Sequence, residues 1–206
     1  VERDGDIVAY WYAWGLALGK AAFLEPDVEA RNAMMREACG KFEESIKRDA
    51  QHAYTWYCWG VTLCQLAETA QNDFEKQEFF EAACVKYEQA CTFDKTMASA
   101  SYFWGTTLST LALMEKEPFK RQSLLEHACS RFEETTQRDP KHTSAYYNWS
   151  RTLASLAAKK KSRSDKVKLL VESKERALQA EQCEPGKASY LLARLAVYQG
   201  DRKGVT

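Results

Sequence analysis

The chain has 206 residues, with 29 basic and 29 acidic side chains that cancel, so no charge excess draws its whole surface to nucleic acid or membrane. A composition that is 45% hydrophobic, with six Trp, ten Tyr and nine Phe, supplies a packed core and excludes disorder over most of the length. Seven cysteines, an odd number with no Cys-x-x-Cys pair, and three dispersed histidines (His52, His127 and His142) argue against a disulfide framework or a zinc site.

In chain order, Val1 to Asp6 is polar and expected to fray. From Ile7 to about Leu24, apolar residues at Trp11, Trp14, Leu18 and Ala22 keep the three-to-four spacing of a helix face. Glu25-Pro26-Asp27 ends that helix, because proline disfavours helical geometry in the residue before it. Asp27 then caps a second helix running to about Lys47, with Met34, Ala38, Phe42 and Ile46 on one stripe. The longest apolar run, Ile7 to Leu18, holds Tyr, Trp and Gly and recurs downstream as a helix face, so it reads as a core helix and not a membrane span.

A second unit begins near Ala53. Its first helix ends between Glu68 and Asp73, and its second, Phe74 to about Phe93, presents Phe80, Cys84, Tyr87 and Cys91 at helical spacing. A third unit places helices at Met97 to Met114 and Phe119 to Gln137, broken at Glu117-Pro118. The fourth places one at Thr143 to Ala158, a basic loop at Lys159 to Asp165, and a helix to about Gln182. A fifth starts at Lys187 and is cut off in Gly200-Asp201-Arg202-Lys203-Gly204, as in a piece of a longer protein. No stretch alternates apolar and polar residues over a useful length, so no strand is expected.

One interval organises all of this. Trp-Gly stands at Trp14-Gly15, Trp59-Gly60 and Trp104-Gly105, and Trp149-Ser150 continues the series, each 45 residues after the last. The same interval relates Phe42, Tyr87 and Phe132; Ala38-Cys39, Ala83-Cys84 and Ala128-Cys129; and Asp139-Pro140 and Glu184-Pro185. A fixed interval of this size means stacked helical units that bury their apolar faces against neighbours. The expectation is one elongated domain with units at about 7–51, 52–96, 97–141 and 142–186 and a partial unit at 187–206. The recurring cysteines read as small buried hydrophobes in a reducing compartment.

Within the second unit, Trp56, Trp59, Gly60, Leu63, Ala83, Tyr87, Ala90 and the boundary at Lys95 follow one another in an order that resembles the tetratricopeptide repeat (TPR). The first unit gives Trp11, Trp14, Gly15, Ala38, Phe42, Ser45 and Ala50; the third gives Ser101, Trp104, Gly105, Ala128, Phe132, Thr135 and Pro140. The fourth departs at Ser150, Ser173 and Ala177, while Pro185 keeps its place. Glycine and alanine let paired helices approach closely, and the aromatic residue fills the wedge between units. The resemblance implies an all-α, right-handed superhelical solenoid of antiparallel helix pairs, about four and a half repeats long. It departs from the family in length, since the common unit has about 34 residues. The surplus, shared between two helices, lengthens each by about 8 Å. Long units with WG-x-x-L followed by A-x-x-x-[FY]-E look like those of the plant-type mitochondrial outer-membrane import receptor, which implies a receptor for targeting presequences as a narrower function.

The resemblance also places the first helix of each pair on a concave groove, with the residue after the first aromatic position pointing into it: Tyr12, Tyr57, Tyr102 and Tyr147. Four residues further stand Leu16, Val61, Thr106 and Arg151, and three further again Gly19, Cys64, Ser109 and Ala154. Such a surface suits an amphipathic helix or an extended segment with large side chains. Two readings stand side by side: the tyrosines anchor a ligand, or they pack between neighbouring first helices. The chaperone-clamp subclass is disfavoured, because Tyr12, Leu16, Cys58, Ser99 and Phe103 stand where that clamp needs Lys, Asn and Arg. Lys159, Lys160, Lys161 and Arg163, with Lys166 and Lys168 beyond, form the one dense basic patch. It reads either as a solvated loop or as a surface for acidic lipid, RNA or an acidic partner, with Ser162 and Ser164 open to phosphorylation beside it. The aromatics that nucleic-acid binding wants are not placed around it.

Nothing in the sequence spells catalysis: there is no glycine-rich phosphate loop, no serine elbow and no histidine paired with an acid at useful spacing. The reading is therefore a scaffold or receptor that is no enzyme and takes no cofactor, metal or small-molecule substrate. It holds a protein or peptide ligand in the cytoplasm or on the cytosolic face of an organelle membrane. A third class stays open, a structural spacer that self-associates through the cut fifth unit, where Leu191, Leu192 and Leu195 would lack a covering helix.

Overall fold

The computed structural model describes residues 2–200. Among them it has nine helices and no strand: α1 (Glu2–Leu24), α2 (Val28–Arg48), α3 (Ala53–Thr69), α4 (Asp73–Phe93), α5 (Ala98–Met114), α6 (Pro118–Arg138), α7 (Thr143–Lys159), α8 (Arg163–Cys183) and α9 (Ser189–Gly200). The fold is an all-α helical-repeat solenoid. The repeat is metrically regular, since α3, α5 and α7 have 17 residues and α2, α4, α6 and α8 have 21. The Asp201 to Gly204 end of the expected cut fifth unit lies outside the described residues.

Helix boundaries follow from capping. Asp27, Asn72, Glu117 and Ser162 stand before α2, α4, α6 and α8, and each side chain accepts a hydrogen bond from an N–H of the first turn. Pro118 opens α6, because N–H groups of the first turn have no acceptor within the helix and proline, which has no N–H, loses nothing there. Asp49, Asp94 and Asp139 end α2, α4 and α6, and their carboxylates accept from the N–H groups of Gln51, Thr96 and Lys141. His52 and His142 cap α3 and α7 through ring nitrogens that accept from Thr55 N and Ala145 N, which gives two of the three histidines a structural role.

Two boundaries differ from expectation. α1 begins at Glu2, so the polar start expected to fray is helical from there, Val1 lying outside the described residues. The expected basic loop at Lys159 to Asp165 shrinks to residues 160–162. Lys159 closes α7, where its charge meets the carbonyl end, and Ser162 caps α8 by accepting from Asp165 N at 3.3 Å.

The chain divides into two compact units, residues 1–107 and 108–206, with the boundary inside α5. In the first unit α1 packs on α2 and α3 on α4 over glycine. A Cβ on Gly15 would lie 2.6 Å from a ring carbon of Phe42, and one on Gly60 would lie 2.6 Å from a ring carbon of Tyr87. Ala38, Phe42, Ala83 and Tyr87 are buried there. By length and composition Ile7–Leu24 could cross a bilayer, and only 17% of it is buried; Gly15 nonetheless seats α1 on α2 as Gly60 seats α3 on α4.

In the second unit α7 and α8 meet through serines. Ser150 Oγ donates to Ser173 O at 2.6 Å, and Ser173 Oγ donates to Ser150 O at 2.8 Å. α9 lays Leu191 and Leu195 on a cluster with Leu170, Ala177 and Ala180, with Leu192 packed beside them. The expectation that these leucines lack cover is thereby corrected: Leu191 and Leu195 are 8% and 2% exposed, and among the described side chains the large apolar ones that α9 turns outward are Tyr190 and Val197.

Candidate functional site

The first helices of the first two pairs, α1 and α3, enclose an open cleft of about 450 Å³. Leu16, Gly19, Lys20, Phe23 and Leu24 line it from α1, and Tyr57, Cys58, Val61, Thr62 and Gln65 from α3, with Gly15 and the Phe42 ring behind. The opening follows from the sequence of α1. The Phe42 ring occupies the space over Gly15, whereas a Cβ on Gly19 would meet nothing nearer than Thr62 Oγ1 at 3.9 Å. Phe23 and Leu24 carry the apolar wall outward to the helix end, where they are 77% and 81% exposed.

Of the nine residues expected in a groove, the cleft brings together Leu16, Tyr57 and Val61. The tyrosines are packed. Tyr12 is half-buried and meets the His52 ring edge-on at 5.2 Å, and burial pushes its phenol up to about 12. Tyr57 lies among Tyr54, Tyr87 and Phe103, with ring centroids 6.0, 6.3 and 5.9 Å away, and burial pushes its phenol up to about 12 as well. Tyr102 rests edge-on against Phe103 at 5.2 Å. Thr106 Oγ1 donates to its own helix at Phe103 O. Cys64 turns inward, its sulfur 3.5 Å from the Tyr87 hydroxyl and 3.4 Å from Thr107 Oγ1. In the second unit Tyr147 packs against the α7–α9 core cluster and takes the exposed Arg151 guanidinium over its ring at 5.7 Å.

Two signals were passed over in the sequence. The first is Lys20, one turn beyond Leu16, which is the one charged side chain lining the cleft. The second is a series of cations one residue before the core aromatic position, at Lys41, Lys86, Arg131 and Arg176, again 45 residues apart. Lys41 Nζ lies 3.8 Å from the Trp14 ring centroid, Lys86 Nζ 3.6 Å from that of Trp59, and the Arg176 guanidinium 4.0 Å from that of Trp149. Below two of these cations the tryptophans stack in pairs, Trp11 on Trp14 and Trp56 on Trp59. Lys41 and Lys86 thereby tie the second helix to the first by cation–π contact in the two pairs that supply the cleft walls.

The thiols are chemically quiet. Burial pushes Cys39 up to about 11 and Cys84 and Cys129 up to about 12, so all three are protonated near neutrality. Burial also raises Cys58, with the Tyr12 hydroxyl and the Lys20 charge opposing it. None of the seven cysteines is in a disulfide, and Cys183 is the exposed one. Among the described residues no group of His, Cys, Asp and Glu could hold a metal ion. The basic patch is partly engaged: Lys160 pairs with Glu126 at 3.8 Å and its N–H caps the α7 end at Ala157 O, while Lys159, Lys161 and Arg163 are exposed.

No protein-family model matches the sequence, and no curated protein matches it. The fold does have solved counterparts. A structure of a MamA RS-1 ArsTM double mutant aligns at TM-score 0.64 and 15% identity over 94% of this chain and 87% of its own. A structure of MamA from residue 41 to the end, from Desulfovibrio magneticus RS-1, aligns at TM-score 0.63 and 15% identity over 94% and 88%. At that identity the likeness extends to the fold alone: this chain is similar in architecture to MamA, a TPR-type protein.

Proposed function

We propose that the chain is a non-catalytic protein-interaction module that holds a peptide or amphipathic helix in the groove lined by α1 and α3. The observation that carries this reading is the α1–α3 cleft, where Leu16, Tyr57 and Val61 line one apolar opening, joined by Phe23 and Leu24. An open apolar cleft with a few polar groups at its edge is the ordinary form of a recognition site. The tyrosines serve it as supports: Tyr12 and Tyr57 brace the walls by packing, and the aliphatic residues and the open space over Gly19 meet the ligand. A basic targeting helix is not the occupant we favour, because the cleft presents one cation and no carboxylate. The proposed setting is a reducing one, the cytoplasm or the cytosolic face of an organelle membrane, which suits seven cysteines outside any disulfide.

The test is a site-specific photocrosslink. A photoreactive phenylalanine analogue replaces Leu16 in the cleft or, as a control, Val85, an exposed residue of α4. Illumination in a cytosolic extract should yield a discrete adduct from position 16 and none from position 85. Equal adduct patterns from both positions would move recognition away from the groove.

A further inference from the structure

We infer that the ligand of the α1–α3 cleft is an acidic amphipathic helix of a partner protein, which seats one bulky apolar side chain over Gly19 and brings a carboxylate to Lys20. This inference rests on the groove reading above and specifies the chemistry of its ligand. The apolar half of the fit follows from the lining: Leu16, Phe23, Leu24 and Val61 offer carbon, and the missing side chain of Gly19 leaves the space. A cleft of about 450 Å³ lies within the range that accepts a compact apolar group.

The polar half follows from charge. Lys20 is the only charged side chain between Ile7 and Leu24, and Glu68, the only one on α3, is not among the lining residues. Lys20 is exposed, and among the described residues no carboxylate pairs with it. A lone cation beside an apolar opening attracts an acid and repels a base, which sets partner choice more than raw affinity. Thr62 and Gln65 offer further hydrogen-bond partners at the same edge. A helix is favoured over a free acyl chain because the lining runs out to an open apolar rim at Phe23 and Leu24, both more than three-quarters exposed. One alkyl chain in the cleft would leave that rim uncovered.

The test uses two fluorescein-labelled 18-residue helical peptides with the same Leu/Phe face, one carrying Glu and the other Lys on its polar face. Anisotropy titrations at low salt compare the parent chain with Lys20→Glu, Gln65→Glu and Gly19→Leu, and circular dichroism and thermal melts confirm that each variant is folded. The Glu peptide should bind the parent about three- to tenfold more tightly than the Lys peptide, the range of one or two exposed ion pairs. Lys20→Glu should erase or reverse that preference, and Gln65→Glu, a rim change without packing consequences, should weaken the Glu peptide in the same direction. Gly19→Leu should weaken both peptides tenfold or more by filling the cleft.

Equal binding of the two peptides, or a preference untouched by Lys20→Glu and Gln65→Glu, overturns the acidic ligand and leaves the groove reading standing. Binding that survives Gly19→Leu, or no binding of either peptide, overturns the seat over Gly19, and the position 16 crosslink then decides whether the groove reading falls with it. Laurate that binds the parent more tightly than the Glu peptide, with the same dependence on Gly19 and Lys20, overturns the protein ligand in favour of a lipid.

Discussion

Within residues 1–107 the paired helices close on glycine, whereas the α7–α8 pair, within residues 108–206, closes on serine. Gly15 meets Phe42 and Gly60 meets Tyr87, each 27 residues apart, so close that a single added carbon would overlap the ring. At the same register α7 and α8 have Ser150 and Ala177, and Ser150 is locked to Ser173 by reciprocal hydrogen bonds. One unit puts all the volume on the second helix and none on the first. The α7–α8 pair shares a small volume between its two helices and satisfies the hydroxyls it buries. The repeat therefore constrains the sum of what stands between the helices, and the individual residues are free within it.

The comparison is broken hardest at Tyr87, which is fully buried. Tyr87→Ala should cost about 3–5 kcal/mol, as large aromatic truncations in close-packed cores do, measured by urea unfolding. Its counterpart position already carries Ala177, so the loss measures how much the serine pair replaces. Gly60→Ala comes next, at about 1–3 kcal/mol from overpacking against the Tyr87 ring. Ser150→Ala, which leaves a methyl group where α3 tolerates none, should cost about 1 kcal/mol, the scale of one hydrogen bond. A Gly60→Ala protein as stable as its parent would show that Tyr87 can move aside.

The exchange is sharpened by transplanting one solution into the other. Ala177→Phe alone should destabilise by about 1–3 kcal/mol, because Ser150 occupies the space that the ring needs. Adding Ser150→Gly should recover part of that loss, so the double variant is more stable than the sum of the singles predicts. Strict additivity would mean that the two registers are not equivalent. Lys86→Met, which removes the cation over Trp59, carries a smaller expected loss of about 0.5–2 kcal/mol.

The weakest expected effect at ordinary pH belongs to the thiols. Cys39, Cys84 and Cys129 hold their protons more tightly folded than unfolded, so their share of stability is whole below about pH 9 and is lost as pH climbs toward 11 and 12. Unfolding midpoints should thus be flat from pH 7 to 8.5 and fall beyond it. At pH 8 a thiol reagent should modify Cys183 first and reach the other three only on unfolding.

Much of this was legible in the residues. Trp14-Gly15 and Trp59-Gly60 announce a close helix approach, Pro26 and Pro118 mark the turns, and Asp27 caps α2 as its place in the chain requires. The misreadings share a cause. Leu191 and Leu195 look uncovered when α9 is taken as half of an absent pair, yet a single helix can turn its leucine row onto its predecessors. The basic run at Lys159 to Asp165 looks like a loop by composition, yet one serine cap restores helix from Arg163. The cations at Lys41, Lys86 and Arg176 drew no reading from the sequence, because their role appears only once the rings beneath them are placed.

The 45-residue spacing, the helix lengths and the apolar face of each helix are written in the chain, because helical periodicity and capping depend on neighbours within a few residues. Tertiary structure alone decided that Gly15 is filled by Phe42 while Gly19 stays open, and that Lys20 stands at the edge of that opening. Both depend on the separation between α1 and α3 and on which ring comes from α2. That separation is set by the packed volume of every side chain between the helices and not by any local pattern.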